Sequence, residues 1–266
     1  MKNRIISAIV MLAIFIPVLI MGDFSFAVLA GVLSVMGLNE LLLMRKDKKE
    51  FPISLKILAS VMVFFSTIYN FKSIEFVTQI DYRFIATILF IFLTPMVFIS
   101  DNKKYNLNDA FYLMGSVLFI GLSFNLIIIM RNLSLQFLIY LLLITILTDT
   151  FALITGMLIG RHKLIPKISP KKTVEGLIGG TLIASFVATT FYFVVIDNSV
   201  SLLVISLVTV VLSLVGQLGD LVFSSIKRYY GKKDFSNLIP GHGGILDRFD
   251  SLIFVLLAVV LLISFL

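Results

Sequence analysis

Nine apolar runs, most of them close to the roughly 20 residues a helix needs to cross the hydrocarbon of a bilayer, follow one another along this chain. They read as spans over Ile5 to Met21, Phe24 to Met44, Ile53 to Phe71, Phe84 to Ser100, Ala110 to Met130, Leu135 to Gly160, Leu177 to Ile196, Leu202 to Ile226 and Ser251 to Leu266. No alternating strand pattern persists in them, and unpaired backbone groups are costly in lipid, so helices are expected rather than barrel strands. Of 266 residues, 59% are apolar and 14% charged, too few polar groups to cover a soluble domain. The expected fold is therefore all-α: a polytopic integral membrane protein with about nine transmembrane helices.

Compartment follows from charge placement, because the chain has no cysteine and hence no disulfide framework or sulfur-built zinc site. Met1-Lys2-Asn3-Arg4 before an apolar run resembles a signal peptide, but no small-x-small cleavage site follows, so an uncleaved first span is expected. With the N-terminus cytoplasmic, the inner loops carry Arg45, Lys46, Lys48 and Lys49, then Lys103 and Lys104, then Arg161, Lys163, Lys167, Lys171 and Lys172, then Lys227, Arg228, Lys232 and Lys233. The outer loops hold Lys72, Arg83 and Arg131, an asymmetry that favours this orientation and puts the C-terminus outside. The location implied is the cell membrane, crossed many times. The net charge of +7 sits in these loops, where topology and anionic membrane lipids account for it better than nucleic acid, which is not expected as a partner.

Two regions differ in chemistry: an N-terminal membrane region, 1–130, poor in ionisable groups within its spans, and a C-terminal membrane region, 131–266, with cytoplasmic loops that carry nearly all the unusual polar residues, where any catalytic chemistry is expected. A carboxylate inside a span is costly enough to be a functional suspect. Asp149 lies in the sixth span, Asp220 toward the inner end of the eighth, and Asp247 and Asp250 open the ninth. Glu40, near the inner end of the second, is expected simply to snorkel toward water.

Helical spacing lines Gly216, Asp220, Ser224 and Lys227 along one face. That stripe has a bland reading too, in which Gly216 and Gly219 make a helix contact and Asp220 pairs with a neighbouring cation. Downstream, three glycines around His242 (Gly241, Gly243, Gly244) permit unusual dihedrals, and a helix starting beyond them would aim free amides at an anion. Asp247 and Asp250, three residues apart on one helix face, are hard oxygen ligands suited to magnesium beside phosphates. His242 is more readily a loop-shaping residue than a general acid. Upstream, Ser169-Pro170-Lys171-Lys172-Thr173-Val174-Glu175-Gly176 is rich in phosphate-binding ammoniums and hydroxyls, yet lacks the Gly-x4-Gly-Lys-Ser/Thr spacing of a soluble nucleotide loop.

The run from Ser224 through Ile226-Lys227-Arg228, Lys233-Asp234, Ser236, Ile239-Pro240 and His242-Gly243-Gly244-Ile245 to Asp247-Arg248-Phe249-Asp250 resembles the phosphatidate cytidylyltransferase signature throughout its length. The Asp149 segment and Ser169 to Gly176 resemble the same family, so that the likeness extends over roughly Asp149 to Asp250. Val174 stands where some members carry an aromatic residue and Leu153 where a tyrosine is common. The resemblance implies the reaction of CTP with phosphatidate to give CDP-diacylglycerol and pyrophosphate, with Mg2+, a second monovalent cation such as K+, and a homodimer. It implies metal binding by Asp220 and Asp247, with Asp149 and Asp250 as further candidates, and catalytic roles for Asp220, Asp247, Lys227 and Arg228. Substrate binding would fall to Ser169, Lys172, Thr173, Ser224, Lys233, His242, Gly243, Gly244 and Arg248. Two rivals stand beside this reading: an ion pathway built on Asp149 and Asp220, and transfer to another lipid phosphate or alcohol.

Overall fold

In the computed structural model, residues 2–45, 49–69, 82–99, 101 and 103–262 are described. Lys46, Lys48 and Lys72 of the charge argument, and the ends of the third, fourth and ninth expected spans, lie outside them. The helices are α1 (Lys2–Met21), α2 (Asp23–Arg45), α3 (Ile53–Ile68), α4 (Tyr82–Leu93), α5 (Pro95–Phe98), α6 (Leu107–Leu133), α7 (Leu135–Ile159), α8 (Val174–Phe191, extended by a π-helical turn to Ile196), α9 (Leu202–Tyr229) and α10 (Leu246–Leu262). Each expected span overlaps helix, and the fourth is broken where Pro95 follows Thr94, as a residue lacking an amide hydrogen requires. Among the described residues, five helices are long and apolar enough to cross a membrane: α2, α6, α7, α8 with its π turn, and α9. The chain is nearly, not wholly, helical. An antiparallel hairpin of β1 (Lys163–Ile165) and β2 (Ser169–Thr173) separates α7 from α8.

The chain divides into two compact units, Met1–Asn132 with Phe235–Ile245, and Leu133–Asp234 with Leu246–Leu266. In the first, α2 packs on α3, with Gly31 against the Phe64 ring and Thr67 Oγ1 donating to Ser34 Oγ at 2.8 Å. Asn125 of α6 joins them by donating to the Thr67 and Tyr69 carbonyls at 2.7 and 2.8 Å. Arg131 donates to the Leu19 and Ile20 carbonyls at 3.1 and 2.8 Å, capping the C-terminal end of α1 with a cation, where the helix dipole favours one. Arg45 and Lys49, read above as topology signals, both pair with Asp109, which is fully buried. The Arg45 guanidinium also lies 4.8 and 4.7 Å from the Phe51 and Tyr112 ring centres, so its charge is matched by a carboxylate and two aromatic faces.

In the second unit α8 packs against α7 and α9, and α9 against α10. Hydrophobicity gives helices in lipid little reason to associate, so close approach and hydrogen bonds must do it. A Cβ on Gly180 would fall 2.7 Å from the Thr148 carbonyl oxygen, and one on Gly219 would fall 2.9 Å from that of Asp250. Between the helices runs a ladder of side-chain hydrogen bonds at one-turn intervals on α9. Thr209 meets Tyr140 at 2.7 Å, Ser213 meets Thr148 at 2.7 Å, and Gln217 donates to Thr181 at 2.9 Å. At Gln217 the ladder reaches a cavity.

Candidate active site

The cavity, about 670 Å³, lies wholly within the second unit and is walled by α7, the hairpin, the start of α8, the C-terminal part of α9 and the first turn of α10. Five carboxylates (Asp149, Asp220, Asp234, Asp247, Asp250) and five cations (Lys163, Lys171, Lys172, Lys227, Arg248) line it. Charge is thus balanced, an arrangement for holding a polyanion together with a cation rather than either one alone.

Local sequence explains how each group arrives there. Pro166 opens the turn between the strands, closed by the Ile168 amide donating to the Ile165 carbonyl at 3.1 Å. Register pairs Lys163 with Thr173 and Ile165 with Ser169, so Lys163 and Lys172 reach the cavity from neighbouring strands. Thr173 is the N-cap of α8: its hydroxyl accepts from the Gly176 amide at 3.1 Å, and burial leaves it 6% exposed. Glu175 in the first turn accepts from the His162 ring nitrogen at 2.6 Å, and the Val174 amide donates to the His162 carbonyl at 2.9 Å. The hairpin is thereby fastened to the helix it precedes.

Two ion pairs hold the centre. Lys172 Nζ lies 2.6 Å from Asp220 Oδ2, and Lys227 Nζ donates to Asp247 Oδ1 at 2.7 Å. The second pair is the drier, its side chains 9% and 5% exposed. Ser224, one turn along α9, donates to the other Asp220 oxygen at 3.2 Å. Asp149 accepts from Ser251 Oγ at 3.1 Å, and the Ser251 amide donates to Asp250 Oδ1 at 2.9 Å. Asp149, Asp220 and Asp250 lie near enough to repel one another, with Lys172 offsetting Asp149 and Lys227 offsetting Asp250. The stripe on α9 therefore realises both of its readings. Gly216 and Gly219 meet α10, Asp220 pairs with a lysine, and the same carboxylate faces the cavity.

The structure brings Asp149, Lys172, Thr173, Asp220, Lys227, Asp247, Arg248 and Asp250 to one cavity. Ser224 touches it through Asp220. Ser169 holds the hairpin register, Lys233 is exposed beyond α9, and Arg228 donates to the Ile168 and Lys232 carbonyls at 3.3 and 2.8 Å, bracing the hairpin against the end of α9. His242, Gly243 and Gly244 belong to the first unit. There Gly241 and Gly243 adopt φ of +79° and +84°, and the His242 amide closes a turn on the Ile239 carbonyl at 2.9 Å, with Pro240 and Gly241 at its centre. Ser7 of α1 lies 2.9 Å from His242 Nδ1. Lys171, one of the two ammoniums of the Ser169–Gly176 run, also lines the cavity, as do three polar residues to which the sequence assigned no role, Gln217, Lys163 and Asp234. Gln217 was visible as an amide within an apolar helix.

Among the described residues no three His, Cys, Asp or Glu side chains stand together as a ready metal cage. The donors are nonetheless all oxygen, and Mg2+ is ordinarily held by one or two carboxylates with substrate phosphates completing its shell, so the residues present fit that ion in company with a polyphosphate.

Residues 2–266 match the cytidylyltransferase family. The chain is 40% identical over 256 residues to a protein of Staphylococcus haemolyticus (strain JCSC1435) named phosphatidate cytidylyltransferase, covering 96% of each. Proteins of the same name from Staphylococcus saprophyticus subsp. saprophyticus and Staphylococcus aureus (strain COL) are 37% and 38% identical, again over 96% of each chain.

Proposed function

The chain belongs to the cytidylyltransferase family, and we infer from this and from the cavity that it transfers the cytidylyl group of CTP to phosphatidate, giving CDP-diacylglycerol and pyrophosphate. The observation that carries the reading is the pair of lysine–carboxylate contacts, Lys172 with Asp220 and Lys227 with Asp247, at the centre of a charge-balanced cavity.

A phosphate oxygen of phosphatidate is already anionic, so it needs no general base. It attacks the α-phosphorus of CTP in line; the new P–O bond forms as the bond from that phosphorus to the oxygen bridging to the β-phosphate breaks, and the electron pair leaves with pyrophosphate. Such a step asks for alignment and charge neutralisation. Lys172, Lys171 and Lys163 would take the triphosphate oxygens, helped by Thr173 and the start of α8, and Lys227 and Arg248 the lipid phosphate or the leaving group. Each lysine that turns to a phosphate frees the carboxylate it neutralised. Asp220 and Asp247, with Asp149 and Asp250 beside them, would hold Mg2+, which when bound supplies charge neutralisation on the polyphosphate. The resemblance supports a second, monovalent cation such as K+ and a homodimer.

We place the site at the cytoplasmic face of the cell membrane, with the N-terminus on the same side, because Lys and Arg concentrate in the loops that bear the cavity cations. The five long helices and the four shorter apolar segments α1, α3, α4 with α5, and α10 would make the nine spans. A site at the inner ends of α7 to α10 lets phosphatidate keep its tails in the bilayer while its headgroup meets a water-soluble nucleotide.

Pyrophosphate release by the detergent-purified protein with CTP, Mg2+ and phosphatidate, each omitted in turn, tests the reading. Release is expected only when all three are present. Release without lipid, or none with phosphatidate, would contradict it.

A further inference from the structure

The glycine loop between α9 and α10 surrounds an anion that the protein itself supplies. Glu40 of α2 does not snorkel; it is 3% exposed. Its Oε1 accepts from Ser236 Oγ at 2.7 Å and from the Ile245 amide at 2.8 Å, so one oxygen ties the two ends of the loop together. Gly244 is required by the same contact, since a Cβ there would fall 2.3 Å from that oxygen. Between the two ties the chain folds back on itself through the Ile239–Gly243 bridge. Two residues before Ser236 is Asp234 and two after Ile245 is Asp247, and both line the cavity.

We propose that Glu40 is a positioning residue: by clamping both ends of the Phe235–Ile245 loop it sets the separation of Asp234 and Asp247. The effect on turnover rests on the cytidylyl-transfer reading; the clamp itself does not. The carbonyl oxygen of Gln can accept both of these bonds, whereas Leu can accept neither. Misplacing a catalytic group by about 1 Å costs on the order of 10²-fold, so Glu40→Leu is expected to lower kcat about 100-fold with KM for CTP changed less than about threefold, and Glu40→Gln to stay within about fivefold of the parent. Ser236→Ala, which removes one tie and leaves the glutamate and its bond from the Ile245 amide in place, is expected to lower kcat about tenfold, in proportion to losing part of the same alignment.

A second readout needs no activity. The chain has no cysteine, so Ile239→Cys, at a position 9% exposed, reports loop opening by its rate of maleimide labelling in membranes. Labelling should be slow alone and with Glu40→Gln, and about tenfold faster with Glu40→Leu, as expected when a local opening costs less. Parental kcat in Glu40→Leu, or unchanged labelling in that background, would overturn the clamp. A parent protein that releases no pyrophosphate would overturn the functional reading instead, with the labelling still deciding the clamp.

Discussion

Asn in place of Asp247 is expected to lower the rate of CDP-diacylglycerol formation by about 10³-fold while leaving the protein folded and inserted, because charge placed at the reacting phosphates is the main catalytic device available here. Asp247 and Lys227 are almost dry, and their ion pair at 2.7 Å lies where the first turn of α10 meets α9. Asn keeps the volume and can still accept from Lys227, so packing survives. It loses the negative charge that Asp247 would offer to a metal ion beside a polyphosphate. The loss should therefore fall on kcat rather than on the amount of protein extracted from membranes or its thermal midpoint in detergent. Purified Asp247→Asn with a rate within tenfold of the parent would remove this carboxylate from the mechanism.

Lys172→Met and Asp220→Asn are each expected to lower kcat/KM by about 10² to 10³-fold, and the double variant by little more than the worse single one, because groups acting as one unit are grossly non-additive. The two meet at 2.6 Å, roughly a quarter or less exposed, with Asp149 close to both and Asp250 close to Asp220. Removing the lysine leaves three mutually repelling carboxylates with less opposing charge and takes an ammonium from the triphosphate. Removing the aspartate leaves that ammonium without its partner. A double-mutant cycle on the purified protein checks the coupling. Losses that simply multiply would mean that the lysine and the carboxylate serve separate substrates.

Much of this arrangement was legible before any coordinates, and what was not has physical causes. Apolar length marks helices well, and each of the expected spans overlaps helix among the described residues. It does not reveal where a run breaks, as at Thr94-Pro95. The hairpin escaped because Ser169-Pro170-Lys171-Lys172-Thr173 is polar, short and free of alternation; its strands are defined by Pro166, the Ile165–Ile168 turn and the cap at Thr173. Asp149, Asp220, Asp247 and Asp250 stood out because carboxylates are rare in apolar helices, and they do line one cavity. Glu40 broke the same rule yet was read as snorkelling, since depth along a span says nothing of a partner 196 residues away. The loop glycines carried the mirror-image ambiguity: room for an anion was evident, and its source was not.

The most direct measurement is the fate of CTP labelled at its α-phosphate, incubated with the purified protein, Mg2+ and phosphatidate. The account predicts that the label enters the lipid fraction as CDP-diacylglycerol, in equal amount to pyrophosphate, and that label at the γ-phosphate stays in pyrophosphate. Transfer of the γ-label to lipid, or no transfer of either, would contradict cytidylyl transfer at this cavity.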